Sequence, residues 1–359
     1  MITNRYIYKD LLITFILTLA ALNMVVMMER VLKLSRMLAN MGASMTDFFE
    51  MLIYIQPQML QITLPLSCMI AIIITYCRLS ADNEIIIFRV TGMSLSQIAR
   101  PAIIFGLICF ILGLSTSFYL SPIGSKAFRE RFTQIFTHKA PMAINQGIFY
   151  TFFDNMVIFV GEKPSKYQMK NIFIYDNRRQ NDPWIIHAAS GELAFYEDLK
   201  AGFILRDGRV FFSKGNSTTA MTFGKYNITI NLTSPMDIRN NELTPLKLLQ
   251  KALEAIGTNS NALFLEFHRR LTFPLTILAL SLIATPLAIR SLRSGKTQSA
   301  VQLTGATIGL IVYAIYYGLL LYMEELTERG IMSHYAGGWL PVMILFIICG
   351  YVFYKESWV

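Results

Sequence analysis

Six long apolar runs constrain this chain more than any other feature of its sequence. Runs of about 18 residues or more match the length that a helix needs to cross the hydrocarbon core of a bilayer. They form two groups of three, separated by the polar block 122–268. The sequence therefore predicts six membrane-spanning helices. The predicted spans are Leu11–Met28, Ile62–Cys77, Pro101–Leu120, Leu271–Ile289, Val301–Leu321 and Leu340–Tyr354.

The composition agrees with a multi-pass membrane protein. Of 359 residues, 54% are hydrophobic and 15% are charged, which is too apolar for a soluble domain of this length. We predict three regions: residues 1–121 with the first three spans, the polar block 122–268, and residues 269–359 with the last three spans. All four cysteines lie in or at the ends of spans, so neither a disulfide framework nor a cysteine metal site is predicted for the polar block.

The positive charges indicate the orientation of the spans, because short cytoplasmic loops are enriched in Lys and Arg. With a cytoplasmic N-terminus, nine basic residues of the short segments lie inside and four lie outside. We therefore predict that both termini are cytoplasmic and that the polar block lies on the opposite side. The net charge of +9 is spread over span ends, which favours anionic lipid over nucleic acid as a partner.

The polar block is predicted to be rich in β-strands. Its short runs contain many β-branched and aromatic residues and are separated by Asn, Asp, Gly and Pro. Seven such runs favour a sandwich or an open roll. The end of the block is predicted to be helical, with Thr244 as N-cap, Pro245 in the first turn and Gly257 at the stop. The predicted strands are 147–153, 155–161, 171–176, 184–189, 192–197, 208–213 and 226–232.

The sequence offers no constellation of residues for catalysis. The segment Ser294–Thr297, SGKT, resembles the end of a phosphate-binding loop, but Arg290 stands where that motif needs its first glycine. We interpret the segment as a basic turn between two spans. The histidines have no metal-ligand spacing, so the sequence predicts no metal site, no nucleophile and no enzyme. They are His138, His187, His268 and His334.

A charged segment, Leu79–Ser94, follows the second span and is too short to cross a bilayer. Ser80 is expected to cap a helix there and Gly92 to end it. One interpretation is an interfacial helix that lies on lipid. The other is a helix that docks into a groove of a cytoplasmic protein, which its acidic first turn favours because an anionic leaflet repels acids. The residues expected to serve this docking are Asp82, Glu84, Ile85, Phe88 and Arg89.

The order of these features resembles the LptF/LptG permeases of the lipopolysaccharide export system. The segment RLSADNEIIIFRVTGMS is similar to the family's coupling helix, which would lie near residues 80–92. EFHRRLTFPLTILALSLIATPLAI is similar to the start of its fourth span, and MKNIFIYD to a strand of its periplasmic domain. EFHRRLTFP and IRSLRSGKTQSA are more similar to LptF than to LptG. The resemblance implies a membrane α-helical fold with six transmembrane helices, three plus three, and an inserted periplasmic β-jellyroll-like domain.

The resemblance also implies partners and a location. Such permeases pair with a second homologous six-span permease and with a dimeric cytoplasmic ATPase, which binds ATP and Mg²⁺, while this chain binds no cofactor. They extract lipopolysaccharide from the outer leaflet of the bacterial inner membrane and pass it to a periplasmic jellyroll bridge protein. The alternative is a membrane-anchored periplasmic scaffold of the cell envelope that transports nothing. Co-purification of a soluble ATPase and a second six-span chain would favour transport.

Basic residues at the far end of the first span form the candidate lipid site. Arg30, Lys33 and Arg36 recur every third residue, so they cover roughly 120° of one helix face. They are either anchors that snorkel to the interface or contacts for a multiply phosphorylated lipid. The resemblance implies that they hold the phosphates of lipid A. Arg129 and Arg131, beyond the third span, either extend this site or anchor their helix.

Charged residues near the fourth and fifth spans have simpler explanations. Glu266 and Arg270 stand four residues apart and are predicted to form a structural ion pair. Glu324, Glu325 and Glu328 are either a solvated helix end or contacts for basic residues of a partner.

Overall fold

A computed structural model of the chain resolves into two compact units. The first consists of Met1–Glu29, Ile55–Lys126 and Arg239–Val359, and the second of Arg30–Tyr54 and Ala127–Ile238. The turn 294–297 and Gly257, both discussed above, lie outside the described residues. The structure describes residues 2–40, 43–138, 145–153, 155–165, 167–178, 183–196, 200–214, 217–231, 241–255, 258–290 and 298–357.

Among the described residues, six helical stretches are long and apolar enough to span a membrane. This confirms the predicted number of spans and their three-plus-three order. Each helix is longer than its apolar run, because helical backbone satisfies its own hydrogen bonds and continues into the polar flanks. The helices are α1 (Ile2–Asn40), α2 (Met45–Ala81), α3 (Glu84–Val90), α4 (Leu95–Ser115), α5 (Ser121–His138), α6 (Pro245–Glu254), α7 (Thr258–Arg290), α8 (Gln298–Glu328) and α9 (His334–Ser357).

The third span is one continuous helical stretch with a change of winding. A π-helical turn, Thr116–Leu120, joins α4 to α5. Inside this turn the Ser117 hydroxyl donates to the carbonyl of Arg270 at 3.0 Å, so a side chain from the π-turn fixes its position against α7. Such turns are single-turn insertions that often occur at functional sites.

The helices α2 and α7 form the centre of the first unit. In their most apolar stretches 72% and 67% of the residues are buried, against 17% in α1 and in α8. Small residues permit the close packing of this centre. A Cβ atom added at Gly106 of α4 would collide with the side chain of Ser281 of α7. The uncovered sides of α1 and α8 are apolar and suit contact with lipid or with another membrane chain.

The second unit contains one six-stranded antiparallel sheet. The strands follow each other in sequence order, and each described strand pairs with its neighbours in the chain. A jelly roll, in which Greek-key connections join two sheets, is not confirmed by this topology. The strands are β1 (Phe149–Phe153), β2 (Met156–Glu162), β3 (Gln168–Asp176), β4 (Trp184–Tyr196), β5 (Lys200–Lys214) and β6 (Ser217–Asn231).

Three strand predictions from the sequence are wrong. Run 226–232 was predicted to begin at Tyr226, but β6 begins at Ser217. Runs 184–189 and 192–197 were predicted as separate strands, but β4 passes through both. Run 208–213 was predicted to begin at Gly208, but β5 begins at Lys200. The glycines there permit close approach and do not mark turns: a Cβ atom at Gly191 would lie 2.5 Å from the Cδ1 of Ile172.

A bend crosses the sheet along one row of residues. Asn171 in β3 and Asp207 in β5 adopt left-handed φ values of 52° and 51°, and each is absent from the pairings around it. Buried positions change parity at this row, since Met169 is buried on one side and Ile172 and Ile174 on the other. In a regular strand these residues would point to opposite faces. Both halves of the sheet therefore turn apolar side chains toward one interior.

A cation joins the two halves of this bent sheet. Arg178, just after β3, donates to the carboxylate of Asp176 and, at 3.0 Å through Nη1, to the carbonyl of Thr229 in β6. Strands β3 and β6 are not neighbours in the sheet, so the sheet folds over far enough for the two to meet. The carboxylate raises the pKa of the Arg178 guanidinium, which therefore stays charged.

Candidate functional site

The predicted lipid-binding cations lie near the end of α1, within the second unit. Lys33 and Arg36 are exposed and Arg30 is half-buried. The neighbouring Leu34 and Leu38 are buried and define the inward stripe of this helix end. The three cations thus fan from the border of that stripe into the surroundings, which is the arrangement that a phosphorylated ligand could reach.

Arg129 and Arg131 do not present one common face. They are two residues apart on α5, so their side chains leave the helix on roughly opposite sides. Arg131 forms two ion pairs with the start of α2, through Nη2 to Asp47 Oδ1 at 3.0 Å and through Nε to Glu50 Oε2 at 2.8 Å. Its charge is therefore largely compensated within the chain. Arg129 is half-buried.

Asp47, the ion-pair partner of Arg131, also caps the start of α2. It accepts hydrogen bonds from both the amide and the hydroxyl of Ser44 at 2.7 Å, and so caps the beginning of α2. Only 4% of its side chain is exposed. Arg131 thus neutralises a buried cap and connects α5 to α2. Sequence reasoning missed this partner because the two residues are 84 positions apart.

The short segment after the second span forms helix α3, but not with the predicted cap. Helix α2 continues through Ser80 to Ala81, and α3 begins after Asn83, which has a left-handed φ of 61° and makes no side-chain capping bond. Gly92, with φ of 84°, ends the segment as predicted. Ser94 and Gln97 then form a capping box that starts α4.

Helix α3 divides its apolar residues between two sides. Ile85 is buried and Phe88 is half-buried, and both pack against the core of the first unit. Ile86, Ile87 and Val90 are 57%, 58% and 82% exposed. The sequence could not assign these sides, because a seven-residue helix that is apolar on most of its circumference has no readable period. Of the charged residues in this segment, Asp82 and Arg89 are exposed and Glu84 is half-buried.

The structure brings Glu266 and Arg270 together near the start of α7. Arg270 Nε lies 3.0 Å from Glu266 Oε1, and its Nη2 donates to the carbonyl of Asn241 at 3.1 Å. Its Nη1 donates to the carbonyl of Leu243. The Arg270 side chain is only 4% exposed. It therefore fixes the chain segment that enters α6 against the start of α7.

The glutamates at the end of α8 have partners in the same chain. Glu324 lies 3.9 Å from Arg269, and Glu325 forms an exposed ion pair with Arg329 at 2.7 Å. The Glu325 pair is compatible with a solvated helix end, whereas only 16% of the Glu324 side chain is exposed, so Glu324 is largely covered within its own chain. Contacts of these glutamates with a partner chain stay a prediction.

Two of the histidines meet in space although they are 66 positions apart in the sequence. The rings of His268 and His334 stack with centroids 5.5 Å apart, and Trp339 Nε1 donates to His268 Nδ1 at 3.3 Å. This cluster joins the starts of α7 and α9. Among the residues that the structure describes, no group of three or more His, Cys, Asp or Glu could hold a metal ion.

Comparison with known proteins places these features in a family context. Residues 5–355 match the family model described as lipopolysaccharide export system permease LptF/LptG. The chain is 26% identical to the uncharacterized protein RP871 of Rickettsia prowazekii, over 88% of this chain and 89% of that protein. It is 21% identical to the lipopolysaccharide export system permease protein LptF of Escherichia coli K12, over 68% of this chain and 66% of that protein.

Proposed function

This chain belongs to the lipopolysaccharide export system permease family LptF/LptG, and from that premise we propose that it is one permease subunit of an ATP-driven lipopolysaccharide exporter. Its similarity to LptF of Escherichia coli favours the LptF branch. Members of the family are transporter components and not catalytic enzymes. In our proposal the chain lies in the inner membrane with both termini cytoplasmic and its sheet in the periplasm, and extracts the lipid from the outer leaflet.

The observation that carries this proposal is the family match together with the cations near the end of α1. Lys33 and Arg36 are exposed and Arg30 is half-buried, and the three positive charges lie within one sector of the helix. Phosphate groups of an anionic lipid suit this geometry, because Lys acts as a point charge and Arg as a bidentate donor. Arg129 is a further candidate contact from α5. Arg131 serves the site indirectly, since its charge is paired with Asp47 and Glu50.

Helix α3 is the proposed contact with a dimeric cytoplasmic ATPase. Its exposed Ile86, Ile87 and Val90 form an apolar surface that the permease does not cover, and a helix of this kind fits a groove on a partner. Ile85 anchors the helix to the permease, so a push on the outer side of α3 would reach the membrane core. ATP and Mg²⁺ would bind to the ATPase, and this chain would bind neither.

The bent sheet is the proposed contact with a periplasmic jellyroll bridge protein. Its outer strands β1 and β6 each pair on one side only among the described strands, and an open strand edge can accept a strand from a partner. The apolar interior of the bend suits acyl chains. A second homologous six-span permease would complete the membrane part and cover apolar helix surface.

Affinity purification of the full chain from its own membranes tests this proposal. We expect a soluble ATPase, a second six-span chain and lipopolysaccharide to be recovered together. Ile87→Glu on the exposed side of α3 should remove the ATPase from this complex, while Arg329→Gln, which also lowers the charge by one at another exposed helix end, should leave it. Recovery of envelope proteins without an ATPase or a second permease would contradict transport and support a scaffold.

A further inference from the structure

Helix α6 follows the last strand along the chain and precedes the fourth span, and its apolar face is wider than the part of it that packs on α7. On a helical projection, Leu248, Ala252, Leu249, Leu253 and Leu246 occupy a continuous arc of roughly 160°. Leu248 and Ala252 are buried against Leu263 of α7. Leu246 and Leu253 are 81% and 71% exposed.

The remaining side of α6 is polar. Gln250, Glu254, Lys247 and Lys251 are all exposed and follow each other around the helix. The helix thus has three sectors: one packed on α7, one apolar and uncovered, and one charged. The uncovered apolar sector and the packed sector lie roughly 130° apart. This angle is expected for a helix that packs on one side against a membrane span and places another side on an apolar surface roughly perpendicular to that span.

The level of α6 along the membrane normal identifies that surface. It packs against Leu263, Phe264 and Phe267 of α7, whereas the apolar run of α7 begins at Leu271. At 1.5 Å per residue these contacts lie about 6–12 Å beyond the start of that run, and the headgroup layer extends about 5–8 Å beyond the hydrocarbon core. Trp339 and Tyr335 contact His268, which lies one helical turn after Phe264 on α7. Trp and Tyr are residue types enriched at membrane interfaces.

We propose that α6 is an interfacial helix whose uncovered leucines enter the lipid headgroup layer beside the fourth span. Lys247 and Lys251 favour this occupant, because long basic side chains on such a helix reach lipid phosphates while their stems stay on apolar surface. The helix would then hold the return of the chain from the sheet at the membrane surface. The Arg270 contacts with Asn241 and Leu243 fix the segment just before it.

This inference depends on the membrane spans and not on the transport function, so either can fail alone. The test is site-directed spin labelling of the full chain in nanodiscs of phosphatidylethanolamine and phosphatidylglycerol, with labels at Leu246→Cys, Leu253→Cys and, as a control on the charged sector, Glu254→Cys. The native cysteines are buried, and the unsubstituted chain gives the background signal. The labels replace exposed side chains, and melting of each variant in detergent checks the fold.

A lipid contact predicts that the ratio of oxygen to nickel-chelate accessibility is severalfold higher at Leu246→Cys and Leu253→Cys than at Glu254→Cys. Replacing phosphatidylglycerol by phosphatidylcholine should lower the ratio at both leucine positions, because the lysines lose anionic partners. Equal, water-like ratios at all three positions would overturn the proposal. Shielding of the leucine labels from both reagents, seen only when partner chains are present, would also overturn it and assign this sector to a protein interface.

Discussion

Basic residues near two helix ends of this chain differ in whether the chain itself covers them. Near the start of α7, Arg270 is buried and saturated by one carboxylate and two backbone carbonyls. Near the end of α1, Lys33 and Arg36 stand exposed beside a buried leucine stripe. Arg270 is structural because its counter-charge and its carbonyl acceptors come from the same chain, whereas the exposure of Lys33 and Arg36 leaves them accessible to an anionic ligand.

The largest effect is expected where the chain holds its own cation. Arg270→Ala leaves the carbonyls of Asn241 and Leu243 without this donor and removes one of the two guanidinium partners of Glu266, which keeps its pair with Arg269. At about 1–3 kcal/mol for each acceptor left without a partner, the loss should be about 3–5 kcal/mol of stability. The measurement is thermal unfolding of the detergent-solubilised chain, followed by the loss of its monodisperse chromatographic peak. Arg329→Ala is the control: its ion pair with Glu325 is exposed, and removing it should cost under about 1 kcal/mol. Equal losses in the two variants would contradict the structural role of Arg270.

Helix α3 allows the same comparison within one turn of helix. Ile85→Ala removes a buried side chain and should cost about 2–3 kcal/mol of stability, since the end of a short helix can partly collapse around the gap. Ile87→Ala should change stability by less than about 0.5 kcal/mol. In our proposal it should weaken the ATPase complex by about 2 kcal/mol, roughly 30-fold in affinity. Thermal unfolding and a titration with the ATPase separate the two effects. A loss of stability in Ile87→Ala together with a loss of ATPase affinity in Ile85→Ala would contradict the assignment of the two sides of α3.

Arg131 should give an intermediate effect because its partner Asp47 is buried but Arg131 itself is partly exposed. Arg131→Gln should cost about 1–3 kcal/mol, the usual range for losing a hydrogen bond to a charged group. The double variant with Asp47→Asn should cost less than the sum of the two single variants, because each single variant already breaks the pair. Additive costs would show that the pair contributes little and would return Arg131 to the lipid-contact candidates.

The membrane part of the fold could be predicted from the sequence because one physical quantity decides it. An apolar run long enough to cross a bilayer has few alternatives to a helix, so the number and order of the spans followed directly. The sheet was harder to predict, since Gly191 and Gly208 look like turn residues although they permit close contacts within continuous strands. The bend at Asn171 and Asp207 is set by left-handed backbone conformations. The residue type alone does not predict these conformations.

The candidate site could be predicted only for residues that act along one helix. The spacing of Arg30, Lys33 and Arg36 was visible because they share a helix face. The role of Arg131 was not, because Asp47 and Glu50 come from a distant part of the chain. Likewise, the sequence of α3 contains both its anchor Ile85 and its exposed Ile87, and only packing against the core distinguishes them.

The central claim is that the exposed cations of α1 bind an anionic lipid. Its most direct test is the amount of lipopolysaccharide recovered with the full chain for the unchanged protein, for Lys33→Gln with Arg36→Gln, and for Lys33→Glu with Arg36→Glu, at matched expression. Neither double variant should lower the melting temperature much, because surface substitutions usually change stability by less than about 0.5 kcal/mol. Neutralisation should reduce the bound lipid, and reversal should abolish it, since it adds repulsion against each phosphate. Equal lipid recovery from all three proteins would contradict the claim and leave these cations as anchors of helix depth.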